Sequence, residues 1–146
     1  MSQTTWSGPL ASGDKNAGVV GGPNIGLAVL SQTVLINFDA TLVQNATVYL
    51  PYESQIVDVL VDVLTRYNSA TSATISVGTA SGGTQYASGV NAKTGVRVRP
   101  TFTAAQLAAM ADTESNGAVV ATVTSVGQPT AGQVRVTYLY VQKEGQ

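Results

Sequence analysis

The segment Ile56–Thr65, IVDVLVDVLT, sets two carboxylates, Asp58 and Asp62, four residues apart in an otherwise apolar run. Carboxylates are the natural place to look for chemistry here, because the chain has no cysteine and no histidine. That absence removes thiol nucleophiles, thiolate metal sites, disulfides and the usual Ser-His and Cys-His pairs, together with the commonest metal ligand. Four valines alternate through the segment, Val57, Val59, Val61 and Val63. β-Branched side chains lose χ1 freedom against the preceding turn of a helix, so the segment reads as a strand. The valines then face a core, while Asp58 and Asp62 share the opposite side with Ile56, Leu60 and Leu64. Residues four apart on a strand are separated by about 13 Å. Glycosidase carboxyl pairs sit roughly 5 to 9.5 Å apart, so these two cannot act as such a pair or hold one metal ion directly. They are expected as solvated charges or, more sharply, as contact charges meeting Arg97 or Arg99 of a neighbouring strand or chain. Those two arginines share a face by the same alternation.

Other candidate motifs are thin. DTESNG, Asp112 to Gly117, begins like a calcium loop but has Glu114 at its third position and Val123 where the bidentate glutamate belongs. A polar turn after a helix accounts for it. NAT at Asn45 matches a glycosylation sequon but falls inside an expected strand. GVVGGPNIG lacks the lysine and the strand–helix context of a phosphate loop. Tyr138 and Tyr140 share one strand face, where they could stack on a ligand, although core or interface packing is the commoner use. No nucleophile, base and oxyanion donor can be assembled, so an enzyme is not expected, and neither is a cofactor or a metal.

Composition points the same way. The 146 residues suit one domain able to bury a sizeable core. Only 10% of them are charged, against about 25% in ordinary globular chains. A weakly charged surface suggests that much of it is covered by something else. The net charge of −1 provides no basic field for nucleic acid. No apolar run spans a membrane, and no signal peptide is visible, so neither a membrane nor secretion is expected.

Two regions organise the chain. Residues 1–30 are rich in glycine and proline, which break helix and strand, yet they carry Trp6, Leu10, Val19, Val20, Ile25 and Leu27. A freely solvated tail has little reason to hold such residues, so this region reads as an extended arm that packs on a partner. Residues 31–146 read as a mainly β domain. Seven or eight short strands rich in valine and threonine, with turn signals between them, predict an antiparallel sandwich or barrel. One helix interrupts, FTAAQLAAMAD, with Thr103 as N-cap and Gln106 completing a capping box. Leu107 and Met110 are expected to close one end of the sandwich.

This layout has a likeness. The arm containing TWSGPLASG, the strands LAVLSQTVLINFDATL and IVDVLVDVLTRYNSATSATISVGTASGGTQY, the helix FTAAQLAAMAD and the closing GQPTAGQVRVTYLYVQ resemble small capsid decoration, or cement, proteins of tailed bacteriophages. The resemblance implies a jelly-roll-like β-sandwich on the virion's capsid surface, without enzymatic activity or cofactor. It also implies a homo-oligomer, typically a trimer, bound between subunits of the major capsid protein. Trp6, Leu10, Val19, Val20, Ile25, Leu27, Asp58, Asp62, Arg97 and Arg99 are the expected protein-interface residues. The same texture occurs in phage tail and fibre modules, so a receptor- or carbohydrate-binding sandwich is the alternative.

Overall fold

A computed structural model describes residues 11–13, 25–113 and 117–142. Alternating β-branched residues form the strands, and the turns fall at glycine, proline and asparagine. Within the region read as an arm, β1 (Ala11–Gly13) pairs antiparallel with β2 (Ile25–Leu27). The sandwich consists of β3 (Leu30–Asn37), β4 (Val43–Tyr49), β5 (Ser54–Thr65), β6 (Ser72–Gly78), β7 (Ala87–Asn91), β8 (Arg97–Val98), β9 (Ala118–Val126) and β10 (Gln133–Gln142). A helix, α1 (Ala104–Met110), lies between β8 and β9. One sheet has the order β3-β10-β5-β8 and the other β4-β9-β6-β7. The first strand thus pairs with the last, the second with the next to last, and so inward to β5 with β8 and β6 with β7, all antiparallel. A hairpin rolled up in this way is a jelly roll.

The core lies between the four central strands. Val59, Val61 and Val63 of β5 and Val134, Val136 and Tyr138 of β10 meet Ile75 and Val77 of β6 and Val119, Ala121 and Val123 of β9. Each fully buried valine stabilises the fold by roughly 1.5 to 3 kcal/mol relative to exposure. The expected alternation of β5 holds from Asp58 to Leu64 and fails outside it. Leu139 of β10 pairs with Asp58 but Tyr140 pairs with Ile56, so Val57 is the extra residue of a bulge. The bulge turns Val57 outward, 47% exposed, and Ile56 into the core at 2%. A second bulge skips Leu64, between the pairs Gln133–Thr65 and Val134–Val63, and leaves it exposed.

α1 begins as its sequence predicts. The Thr103 hydroxyl accepts from Gln106 N at 3.2 Å, and Gln106 Oε1 accepts from Thr103 N at 2.9 Å. The face it buries differs from the expectation. Met110 is buried, but its partner is Gln106, one helical turn earlier, and Leu107 is 54% exposed. Gln106 turns inward because its Nε2 donates to Thr84 O at 3.0 Å and to Ser88 Oγ at 3.4 Å, tying the helix to the β6–β7 connection. On the approach to β9, Gly117 has φ +56°, and a Cβ there would strike the Leu50 carbonyl oxygen, whose residue donates its N–H to Gly117 O at 2.7 Å. Only glycine fits that crossing.

Tyr67 plugs the sandwich end opposite α1. Its hydroxyl donates to Gln44 Oε1 at 2.5 Å, and both residues are buried. Its ring lies so close to Gly132 that a Cβ there would overlap it. Burial, with a contribution from the Asp39 charge, pushes the Tyr67 hydroxyl up to about 12. Because the folded value lies above the ordinary 10.0, this contribution is complete below pH 10 and is lost as pH rises through about 12. Tyr67→Phe is expected to lower urea-unfolding stability at neutral pH by about 1 to 2 kcal/mol, since it strands a buried acceptor. It should also weaken the alkaline loss of stability seen by circular dichroism.

Candidate functional site

The outer face of the β3-β10-β5-β8 sheet is where the sequence's charged candidates converge. Antiparallel pairing lines residues up in rows across the strands. One row runs Leu35, Arg135, Asp62, Arg97; the next runs Thr33, Thr137, Leu60; the third runs Ser31, Leu139, Asp58. Arg99, just past β8, extends the third row by pairing with Asp58 at 2.8 Å.

Asp62 is the hub. Arg97 Nε donates to its Oδ1 at 2.6 Å and Arg97 Nη2 to its Oδ2 at 3.1 Å, a bidentate fork. Arg135 donates to the same Oδ2 through Nε at 3.2 Å and Nη2 at 2.9 Å. Both aspartates are buried, while the three arginine side chains keep 43% to 70% of their surface exposed. The guanidinium groups therefore lie over the carboxylates as a cover, their stems on the sheet and their heads toward water. The hydrogen-bonded Arg97 holds the Asp62 carboxyl below the usual carboxylate range, against the opposing effect of burial, and Arg135 adds to it. Three arginines over two aspartates leave the strip one positive charge.

Asp58 and Asp62 are therefore not freely solvated charges. They meet Arg97 and Arg99 as the alternation suggests, on a neighbouring strand of the same chain. Arg135 was missed. It stands between Val134 and Val136, as Arg97 stands between Val96 and Val98, but only the strand order brings the last strand beside β5. Ile25 and Leu27 fall in β2, and Trp6, Leu10, Val19 and Val20 lie outside the described residues. Glu114 to Asn116 of the calcium-like motif lie outside them too. Among the described residues no group of three or more Asp or Glu side chains could hold a metal ion. Tyr138 and Tyr140 are core residues, and burial raises the Tyr138 hydroxyl well above its ordinary value.

The opposite face, on the β4-β9-β6-β7 sheet, has a different character. Its exposed positions include Val43, Asn45, Thr47 and Tyr49 of β4, Thr124 and Val126 of β9 and Thr74 of β6, none of them ionisable except the tyrosine. The glycine-rich turn after β6 folds over part of this face: Gly82 N donates to Thr122 Oγ1 at 2.9 Å, and that hydroxyl donates to Asn45 Oδ1 at 2.7 Å. Between this turn and α1 lies an open groove of about 380 Å³ lined by Thr84, Gln85, Thr103, Ala105, Gln106 and Ala109, without a charge or an aromatic ring. No family model, curated protein or solved structure matches the chain.

Asp62→Ala should separate the hub from its neighbours. Its folded value lies below the ordinary 3.8, so the stabilisation is present above about pH 4 and is lost as pH falls through the folded value. We expect a loss of about 1 kcal/mol at neutral pH, at the low end for charge-assisted hydrogen bonds because the arginine heads are wet. In urea titrations the gap to the wild type should close under acid conditions. Asp58→Ala, which frees one arginine instead of two, should cost less.

Proposed function

We propose that this chain is a structural assembly protein, a capsid-decorating jelly roll that binds between subunits of a phage shell. The observation that carries the reading is the closed ion-pair strip. A sheet face on which every charge has an opposite partner can be covered by a second protein at less cost than one with isolated charges, its one excess positive charge needing a single acid opposite. Around the strip, Thr33, Leu35, Val57, Leu60, Leu64, Thr137 and Leu139 supply uncharged contact surface. Jelly rolls recur in viral capsid and lectin domains, which is compatible with this reading. The carbohydrate-binding alternative draws no support from Tyr138 and Tyr140, since a sugar would need them at the surface. In this reading the arm grips neighbouring subunits, and self-association multiplies weak contacts by raising effective concentration.

Co-sedimentation with empty shells of the parent particle tests it. Leu60→Glu, placed within the strip, is expected to weaken attachment at least tenfold while leaving the melting transition in place. A chain lacking residues 1–24 should also lose attachment, because only residues 25–30 of the arm then remain. Undiminished binding of both variants would sink the proposal.

A further inference from the structure

A sandwich with open sheets has outer strands whose backbone groups can pair with another chain, and natural proteins usually guard them. Two of the four outer strands here are guarded. β8 is two residues long and carries Arg97. β7 has a register shift against β6, with Gly89 at φ +71° on the bulged side. The other two, β3 and β4, run eight and seven residues without proline, lysine, any other charge or a register shift against their partners. Among the described residues neither has a strand on its outer edge.

β3 and β4 stand on the same side of the molecule, bridged by Gln32 Nε2 donating to Tyr49 O at 3.3 Å. Of the eleven large apolar residues exposed among the described residues, six lie on these strands or beside them: Val29, Leu35, Leu42, Val43, Tyr49 and Tyr52. From Asn16 to Tyr52 the only charged residue is Asp39, in the turn between the two strands, where it accepts from Thr41 N at 3.0 Å. Among the described residues this wall of the sandwich is thus open in its backbone and uncharged along both strands, with Leu35 exposed at the rim of one sheet face and Val43 and Tyr49 at the rim of the other.

We propose that this wall binds a second copy of the same chain, with β3 pairing antiparallel to β3 of its partner across a two-fold axis. Charge chooses the occupant. In a two-fold strand pair, residues equidistant from the axis face each other, so a charge at the axis would face its like and one away from it would sit against an uncharged residue of the same strand. Antiparallel partners directly opposite share a sheet face, which sets Thr33 against Thr33 and Ser31 against Leu35, or Val34 against Val34 and Thr33 against Leu35. None of these pairs is charged. The two β3-β10-β5-β8 sheets would join into one continuous sheet and bring both ion-pair strips onto the same face. The pairing deepens the assembly reading above, with a two-fold pair in place of the trimer that the likeness implies, and rests on that reading for its purpose. Shell attachment tests that reading, whereas the pairing is tested in solution.

The absence of cysteine makes the test direct. Single variants Gln32→Cys, Thr33→Cys, Val34→Cys and Leu35→Cys place one thiol along the edge, with Leu107→Cys on α1 as the control. Opposed Cβ atoms of a strand pair lie about 4.5 to 5.5 Å apart, close enough for a disulfide with small adjustment. We expect light scattering to give twice the 14.9 kDa chain mass for the wild type. At least one edge variant should cross-link into a dimer under mild oxidation, and the control should stay single. The double variant Thr33→Lys/Leu35→Lys should halve the mass with its melting transition retained. A wild-type monomer, or cross-linking no greater along β3 than at Leu107→Cys, would overturn the pairing.

Discussion

The two-residue period of the central strands β5 and β10 governs the molecule. Side chains alternate across a strand, so a row of valines on one side obliges every second residue to the other. On β5 the inward set is Val59, Val61 and Val63, and the outward set must then include Asp58 and Asp62. β10 answers with Val134, Val136 and Tyr138 inward and Arg135 outward. The core and the ion-pair strip are the two sides of one constraint. Neither could shift register by a residue without driving a charge into the valine layer, and that penalty pins the pairing.

The two bulges in β5 bound this regular stretch. At each the strand gains a residue relative to β10 and the alternation flips. At the first, Ile56 is returned to the core and Val57 is handed to the surface, while at the second Leu64 keeps the outward side that alternation gives it. The outer face of β5 therefore has paired charges in the middle and aliphatic side chains toward both ends. This combination suits a covered surface better than a wet one, since the arginines already satisfy the carboxylates beneath them.

Both ends of the sandwich use polar residues, at the α1 end where an apolar one was expected. Gln106 occupies the inward position of α1 that Leu107 was read to fill, because its amide closes the capping box and bonds the β6–β7 connection at once. At the other end Tyr67 and Gln44 form a buried polar pair across the two sheets. Each holds a connection whose position the strands alone do not determine. Helical spacing indicates that positions share a face, but it does not say which face meets the core when a glutamine can satisfy more groups than a leucine.

Local pattern was enough for much of this protein. The run of seven or eight strands, the antiparallel class, the capping box at Thr103 and Gln106, and the sidedness of β5 between Asp58 and Leu64 could be read from residue order, because each depends on neighbours a few positions away. The likeness to decoration proteins implied a jelly-roll arrangement that the strand order displays. The partnership of Arg135 with Asp62 was not legible, since they are 73 residues apart and meet only because the last strand lies beside the third strand of the roll. The bulges at Val57 and Leu64 were hidden for the same reason, as a bulge is a property of two strands together and leaves no mark in either alone. Which outer strands are guarded also became visible only with the sheet order, because an edge is defined by the neighbour it lacks.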